Sequence, residues 1–190
     1  MRKSRGFTLI ELLAVLMIAG IMVAGGYPKL TNFLWQAKLE QEARMIYQDL
    51  LLLMEATIAA GPSEGINCLG VVAFENKTYA GFGKRIHGYS LLDPLRQLTA
   101  ISKEGRNIAS SGFCILPFND SNQSLTDDEV DNLKILVTDD GKIASPSSRV
   151  NLQVKAFDTD SGETDDTDVW NILIDPDENR IRLQHLSGYQ

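Results

Sequence analysis

The first 28 residues constrain this chain more than any other segment. Residues 7–27 are almost wholly apolar; Arg2, Lys3 and Arg5 precede them and Pro28 follows. As a helix, this run would span about 30 Å, the thickness of the hydrocarbon core of a bilayer. A basic cluster before such a run favours a cytoplasmic N-terminus. The sequence therefore predicts a transmembrane helix over residues 7–28, with residue 29 onward on the far side of the membrane.

Glu11 separates this run from simpler apolar segments. A carboxylate inside a membrane helix costs about 2.5–3.5 kcal/mol, and plain anchors seldom carry one. A secretory signal would instead need a small-residue cleavage site after the run, which Ala19, Gly20 and Ala24 could offer only weakly. Neither alternative accounts for the acidic residue, so Glu11 is predicted to have a function.

The string Gly6-Phe7-Thr8-Leu9-Ile10-Glu11 resembles the processing site of type IV pilin-like proteins, the substrates of prepilin peptidase. The resemblance implies that residues 1–6 are a cytoplasmic leader, cut between Gly6 and Phe7. It also implies N-methylation of Phe7 to N-methylphenylalanine, and a structural filament subunit with no catalytic activity.

The same resemblance gives roles to three residues of the helix. Glu11 would pair with the N-terminal amine of a neighbouring subunit, since a buried carboxylate strongly favours a partner. Gly20 and Pro28 match the positions between which the helix is thought to lose its hydrogen bonds in filaments. The alternative is that they merely kink or end a membrane helix.

After Pro28 the pattern becomes amphipathic over residues 29–61. Leu30, Phe33 and Leu34 begin an apolar stripe at steps of three and four residues, and Ile46, Leu50, Leu53, Met54 and Ile58 continue it. The opposite, polar face includes Glu42 and Asp49. Gly61-Pro62 is predicted to end the helix. The expected fold is α+β: a long N-terminal helix, half transmembrane and half amphipathic, packed on an antiparallel β-sheet head.

Residues 62–190 are predicted to form this β-rich head. A first hairpin would turn at residues 75–78, a helix would begin at Asp93-Pro94, and residues 102–130 would be loop around Phe113 to Phe118. Three further segments are expected: residues 133–143 with a turn at 139–141, a half-buried strand from Val150 to Ala156, and a hairpin over residues 170–183.

The order of strands over residues 130–186 resembles the H-type minor pseudopilins of type II secretion, and equally the FimT-like minor pilins. The resemblance implies a place in a periplasmic pseudopilus with other pseudopilins, assembled by an inner-membrane platform. The subunit would lie in inner-membrane lipid before assembly, with a periplasmic head. A minor pilin of a type IV pilus, for adhesion or motility, is the alternative.

Charge bears on a third alternative, a DNA-uptake pilin. The formal net charge is −7, and without residues 1–6 there are 15 basic against 25 acidic residues. An acidic surface repels phosphate backbones. Arg180 and Arg182 are the only candidates for a basic patch, so no nucleic-acid partner is expected.

Cys68 and Cys114 are the two cysteines. In a periplasmic head they could form a disulfide that closes a loop of about 46 residues and contributes about 4 kcal/mol on the chain-entropy model. Two unpaired thiols are the alternative.

The acidic residues of 158–168 are the one candidate for a metal. Asp158, Asp160, Asp165 and Asp168 offer oxygen ligands for Ca²⁺ beside Gly162, but the spacing lacks a complete calcium-loop pattern, and a solvated acidic loop is the default. His87 and His185 lack zinc-ligand spacing. No nucleophile elbow or phosphate-binding loop is present in the sequence, so we expect neither a cofactor nor an enzyme.

Overall fold

One helix dominates the N-terminal part of the chain. The computed structural model describes residues 9–60, 70–92 and 105–187, and of residues 22–29 and 187 the backbone alone. Helix α1 runs from Leu9 to Ala60 and passes through Gly20 and Pro28 as helix. The predicted terminator Gly61-Pro62 lies outside the described residues. The chain divides into two compact units, Met1–Lys38 and Leu39–Gln190, and the division falls inside α1.

The transmembrane prediction concerns the first of these units. Within the part of the chain that the structure describes, no helix is both long and apolar enough to cross a membrane. The predicted span over residues 7–28 includes side chains outside the described residues, and it stays a prediction.

The second unit is built on an antiparallel sheet, which confirms the predicted α+β class. Its order is β6-β5-β1-β2-β4-β7-β8-β9, and β3 pairs with β2. A 3-10 turn at Ala109–Ser111 precedes β4, and a short helix, α2, covers Asp127–Asn132. Within the described residues the strands are β1 Gly70–Tyr79, β2 Gly83–Leu92, β3 Arg106–Asn107, β4 Phe113–Asn119, β5 Lys134–Val137, β6 Ile143–Ser145, β7 Val150–Phe157, β8 Thr164–Asp175 and β9 Arg180–Ser187.

The second half of α1 packs its apolar side on one face of this sheet, the inner face. Neither Gly nor Pro interrupts residues 29–60, and apolar residues recur at steps of three and four, which puts them on one side of a helix. From β1, β2, β4 and β7, alternate residues such as Val72, Ile86, Ile115 and Leu152 meet them. The helix residues buried in this core are Leu39, Ala43, Ile46, Leu50 and Leu53.

The opposite, outer face of the sheet carries a second, smaller core. Tyr79, Cys114, Leu116 and Phe157 are buried there. The prediction that β7 is half-buried is therefore wrong. Its outer-face residues are buried as well, because the bulged start of β8 and the turn before it lie beside them.

Asn179 joins the two ends of the sheet. It lies in the turn between β8 and β9, at one end of the strand order, and reaches the turn before β6, at the other end. Its Oδ1 accepts a hydrogen bond from the backbone N–H of Ile143 at 2.9 Å, and its Nδ2 donates one to the carbonyl of Gly141 at 3.1 Å. The inner-face core is continuous between these ends, since Ile143, Ile174 and Ile181 all belong to it.

The first hairpin differs from its prediction. Strand β1 continues through residues 75–78, with a bulge between Glu75 and Asn76, and the turn falls at residues 80–82. Gly81 and Gly83 supply the left-handed conformations that the turn needs, with φ of 83° and 74°. Asn76 and Lys77 are typical turn residues, but within the strand the Asn76 side chain donates a hydrogen bond to Asp131 at 3.1 Å and Lys77 is exposed.

Residues 102–130 are more ordered than predicted. Phe113–Asn119 is strand β4, which pairs with β2 and, over its whole length, with β7. Thr126 and Glu129 form a reciprocal capping box that starts α2. Helix α2 is short and flanked by polar residues, which hid it in the sequence. The helix predicted at Asp93-Pro94 lies outside the described residues.

The other two C-terminal predictions are confirmed. Strands β5 and β6 flank a turn at residues 139–141, and β8 and β9 form the terminal hairpin around residues 176–179, as expected. The difference is at the start of β8, which begins at Thr164, so half of the predicted acidic loop is strand.

Candidate assembly site

Glu11 lies in the first turn of α1, with its side chain exposed. Gly6 and Phe7, the predicted cleavage and methylation residues, lie outside the described residues.

The helix around Glu11 exposes apolar side chains on every side. Every residue from Leu9 to Ile21 is exposed, including Leu9 at 81%, Met17 at 64% and Ile21 at 73%. Successive residues of a helix point about 100° apart, so consecutive apolar residues cover its whole circumference. Such a helix is suited to lipid or to a bundle of neighbouring helices.

The apolar exposure continues beyond Pro28. Leu30, Phe33, Leu34 and Trp35 are 40–65% exposed, although the first three were predicted to begin the stripe that packs on the head. Burial of that stripe begins only at Leu39. The first unit thus presents an extended apolar surface with a single carboxylate near its start.

Cys114 is a free, buried thiol. The structure therefore does not support the disulfide predicted with Cys68, which itself lies outside the described residues. Cys114 is enclosed with Tyr79, Ala109, Leu116 and Phe157 in the outer-face core, where a thiol packs as a small apolar group. Burial raises the pKa of this thiol to about 12.

The calcium candidates are not brought together. Asp158 accepts hydrogen bonds from the Asp160 backbone and from Ser161, and Asp165 accepts one from the backbone of Thr167. Asp168 contacts His185. Among the described residues, no three acidic, His or Cys side chains lie close enough to hold a metal ion.

Arg180 and Arg182, the candidates for a basic patch, both contact one carboxylate. Glu178 lies 3.6 Å from Arg180 and 2.5 Å from Arg182. Binding of a phosphate backbone at this strand would have to compete with that carboxylate.

Sequence reasoning missed a polar network that links α1 to the sheet. Glu42 and Asp49, predicted on the solvent side, have only 14% and 15% of their side chains exposed. Arg106 of β3 donates to Glu42 at 2.9 Å and lies 3.7 Å from Asp49. The fully buried Tyr89 donates to Asp49 at 2.5 Å, and burial, together with this hydrogen bond, raises the pKa of Tyr89.

The seven-residue spacing of Glu42 and Asp49 was the available signal, because two turns of helix place both on one side. The network fixes α1 on the inner face through polar contacts at the rim of the apolar core.

Residues 1–27 match the family model of the prokaryotic N-terminal methylation motif. No curated protein and no solved structure gives a significant match. The motif, with the long helix and antiparallel sheet, supports assignment to the type IV pilin-like proteins, the class that comprises pilins and pseudopilins. The motif implies processing by prepilin peptidase, N-terminal methylation and assembly with other pilin-like subunits.

Proposed function

We propose that this chain is a minor pseudopilin of the H type, a structural subunit of the periplasmic pseudopilus of a type II secretion system. The observation that carries the proposal is Glu11, in the first turn of a helix that exposes apolar side chains on all sides, within the matched motif. The subtype is supported by the order of the C-terminal strands and by the Arg180-Ile181-Arg182 strand.

The subunit would do mechanical rather than chemical work. Before assembly, residues 7–28 lie in the inner membrane, with the N-terminus cytoplasmic and the head periplasmic. Cleavage after Gly6 leaves an amine on Phe7, and methylation keeps its charge. Glu11 pairs with the amine of a neighbouring subunit. A carboxylate that is costly in lipid without a partner thus favours the assembled state.

Replacement of Glu11 tests this role. Glu11→Ala should be cleaved and methylated normally, since the scissile bond is untouched, but should fail to enter the filament. Glu55→Ala is the matched control, because Glu55 is exposed on the same helix within the head unit. The measurements are the mass of the mature N-terminal peptide and the amount of subunit in sheared filaments. Normal incorporation of the Glu11 variant would contradict the proposal.

Deletion of the gene distinguishes a subunit of a type II secretion system from a subunit of a type IV pilus. The proposal predicts loss of exoprotein release with surface pili retained. Loss of surface pili with normal exoprotein release would instead identify a minor pilin of a type IV pilus.

A further inference from the structure

We propose that the outer edge of β9 binds an extended, acidic segment of another subunit, which adds to the sheet as a further strand. The inference rests on the proposed function for the identity of the partner as a filament subunit. Three observations support the inference: the unpaired side of β9, the positive charge of this strand and a cavity beside the strand.

Strand β9 is a long, regular edge. All eight of its residues pair with β8, from Arg180 opposite Asp175 to Ser187 opposite Asp168, without a register shift. Within the described ranges no strand pairs with its other side. Such an edge presents unpaired backbone N–H and C=O groups, which are a template for another strand.

The other edge of the sheet is protected. Strand β6 has only three residues, and the Asn179 side chain bonds to the backbone at its first residue, Ile143. Short strands and covering groups are common ways to block edge pairing. Strand β9 has neither proline nor a bulge, and its protection is limited to the charges of Arg180 and Arg182.

The charges of Arg180 and Arg182 favour an acidic partner. Strand β9 carries two arginines and no acidic residue in a chain of net charge −7. One carboxylate, Glu178, contacts both arginines, so a carboxylate of the partner would share these two cations with it. An acidic segment would be attracted to this edge, whereas a basic one would be repelled.

A cavity of about 230 Å³ lies beside the edge on the outer face. Phe118, Val169 and Leu186 form its apolar wall, and Leu186 belongs to β9. Residues of an added strand would alternate between the two faces. An outer-face side chain beside Leu186 would therefore stand at the mouth of this cavity.

The cavity also contains a cation with an exposed counter-ion. The Lys155 side chain is 9% exposed and contacts Asp166, which is 65% exposed, at 2.7 Å. Gln153, two residues before Lys155 on β7, also lines the cavity. Polar groups of this kind can orient a bound segment, while main-chain hydrogen bonds and the apolar wall bind it.

A defined peptide tests the inference on the full-length protein in detergent micelles. The probe is a capped eight-residue peptide of alternating Val and Glu. It should slow hydrogen exchange of β9 amides. Methylation of alternate backbone nitrogens of the peptide removes its ladder donors and should weaken binding at least about tenfold. Replacement of Glu by Lys should weaken it by a similar factor.

Leu186→Trp, which fills the cavity, should also weaken binding about tenfold. Leu92→Trp is the control, at an exposed residue that ends β2. The inference would be overturned if the methylated peptide or the Lys peptide bound as tightly as the Val-Glu peptide, or if Leu186→Trp bound the Val-Glu peptide as tightly as the wild-type protein does. The comparison with the methylated peptide uses the wild-type protein, so it does not depend on the folding of a variant. This experiment measures peptide binding and not filament incorporation. The inference can therefore fail while the proposed function holds, and the proposed function can fail while the inference holds.

Discussion

Asp175 is held at the end of β8 by a backbone amide and a guanidinium. Its side chain is 2% exposed and accepts hydrogen bonds from the backbone N–H of Glu178 at 3.1 Å and from Arg149 at 2.7 and 3.0 Å. The Glu178 amide and, after it, the Arg149 guanidinium lower the pKa of this carboxyl group. The folded state therefore favours the ionised form.

The lowered pKa predicts how stability depends on pH. A carboxyl group of this kind stabilises the fold above its unfolded pKa of about 3.9, and the contribution is lost as pH falls through the lower folded pKa. Asp175→Asn should therefore reduce the free energy of unfolding at pH 7, with a difference from wild type that narrows below about pH 4. Urea unfolding at several pH values measures this. The exposed Asp177→Asn is the control, and a pH-independent difference for Asp175→Asn would contradict the prediction.

Cys114 should be inert in the folded protein. With a pKa of about 12, about one thiol in ten thousand is ionised at pH 8, and the group is also buried. In a Cys68→Ser variant, iodoacetamide should leave Cys114 unmodified under native conditions and alkylate it in guanidinium chloride, as read by mass spectrometry. Alkylation at equal rates under both conditions would show that the thiol is accessible.

Buried apolar side chains along one side of helix α1 hold it on the sheet. Substitutions of a buried and an exposed leucine on this helix test that packing. Leu50 is 2% exposed and Leu52 is 40% exposed. Leu50→Ala leaves a cavity in the inner-face core and should cost about 2–5 kcal/mol of unfolding free energy. Leu52→Ala removes the same atoms from the surface and should cost less than about 0.5 kcal/mol. Similar urea midpoints for the two variants would show that α1 does not pack as described.

The elements that the sequence predicted well have strong local signals. Residues 29–60 lack helix breakers, and the β8–β9 turn carries Asp175-Pro176-Asp177, typical of a turn. Strand β4 was missed because it is covered on both faces, so its residues show no alternation of apolar and polar. Glu42 and Asp49 were assigned to solvent because helix periodicity does not reveal an arginine brought from β3, more than 50 residues away in sequence.

At the scale of the whole chain, one unit carries the features expected for assembly into a filament, and the other carries the folded cores. Met1–Lys38 contains the matched motif and an apolar surface that stays exposed in the single subunit. Leu39–Gln190 contains the cores on both sides of the sheet. The motif was readable from the sequence because it is local. The cavity beside β9 was not, since it joins residues of β4, β7, β8 and β9.

Asn179 gives the last test, because its side chain links the two ends of the strand order through both a donor and an acceptor. Asn179→Gly keeps the left-handed backbone, φ 51°, but removes both hydrogen bonds, and should cost about 1–3 kcal/mol of unfolding free energy. Asn179→Ala adds backbone strain of about 1 kcal/mol.

Asn122→Gly is the matched control, since Asn122 has φ of 57° and an exposed side chain; it should change stability by less than about 0.5 kcal/mol. Hydrogen exchange of the Ile143 amide, which Asn179 protects directly, should accelerate in Asn179→Gly more than in Asn122→Gly. If both glycine variants unfold at the same urea concentration and leave that amide equally protected, the ends of the sheet are held by the shared apolar core and not by Asn179.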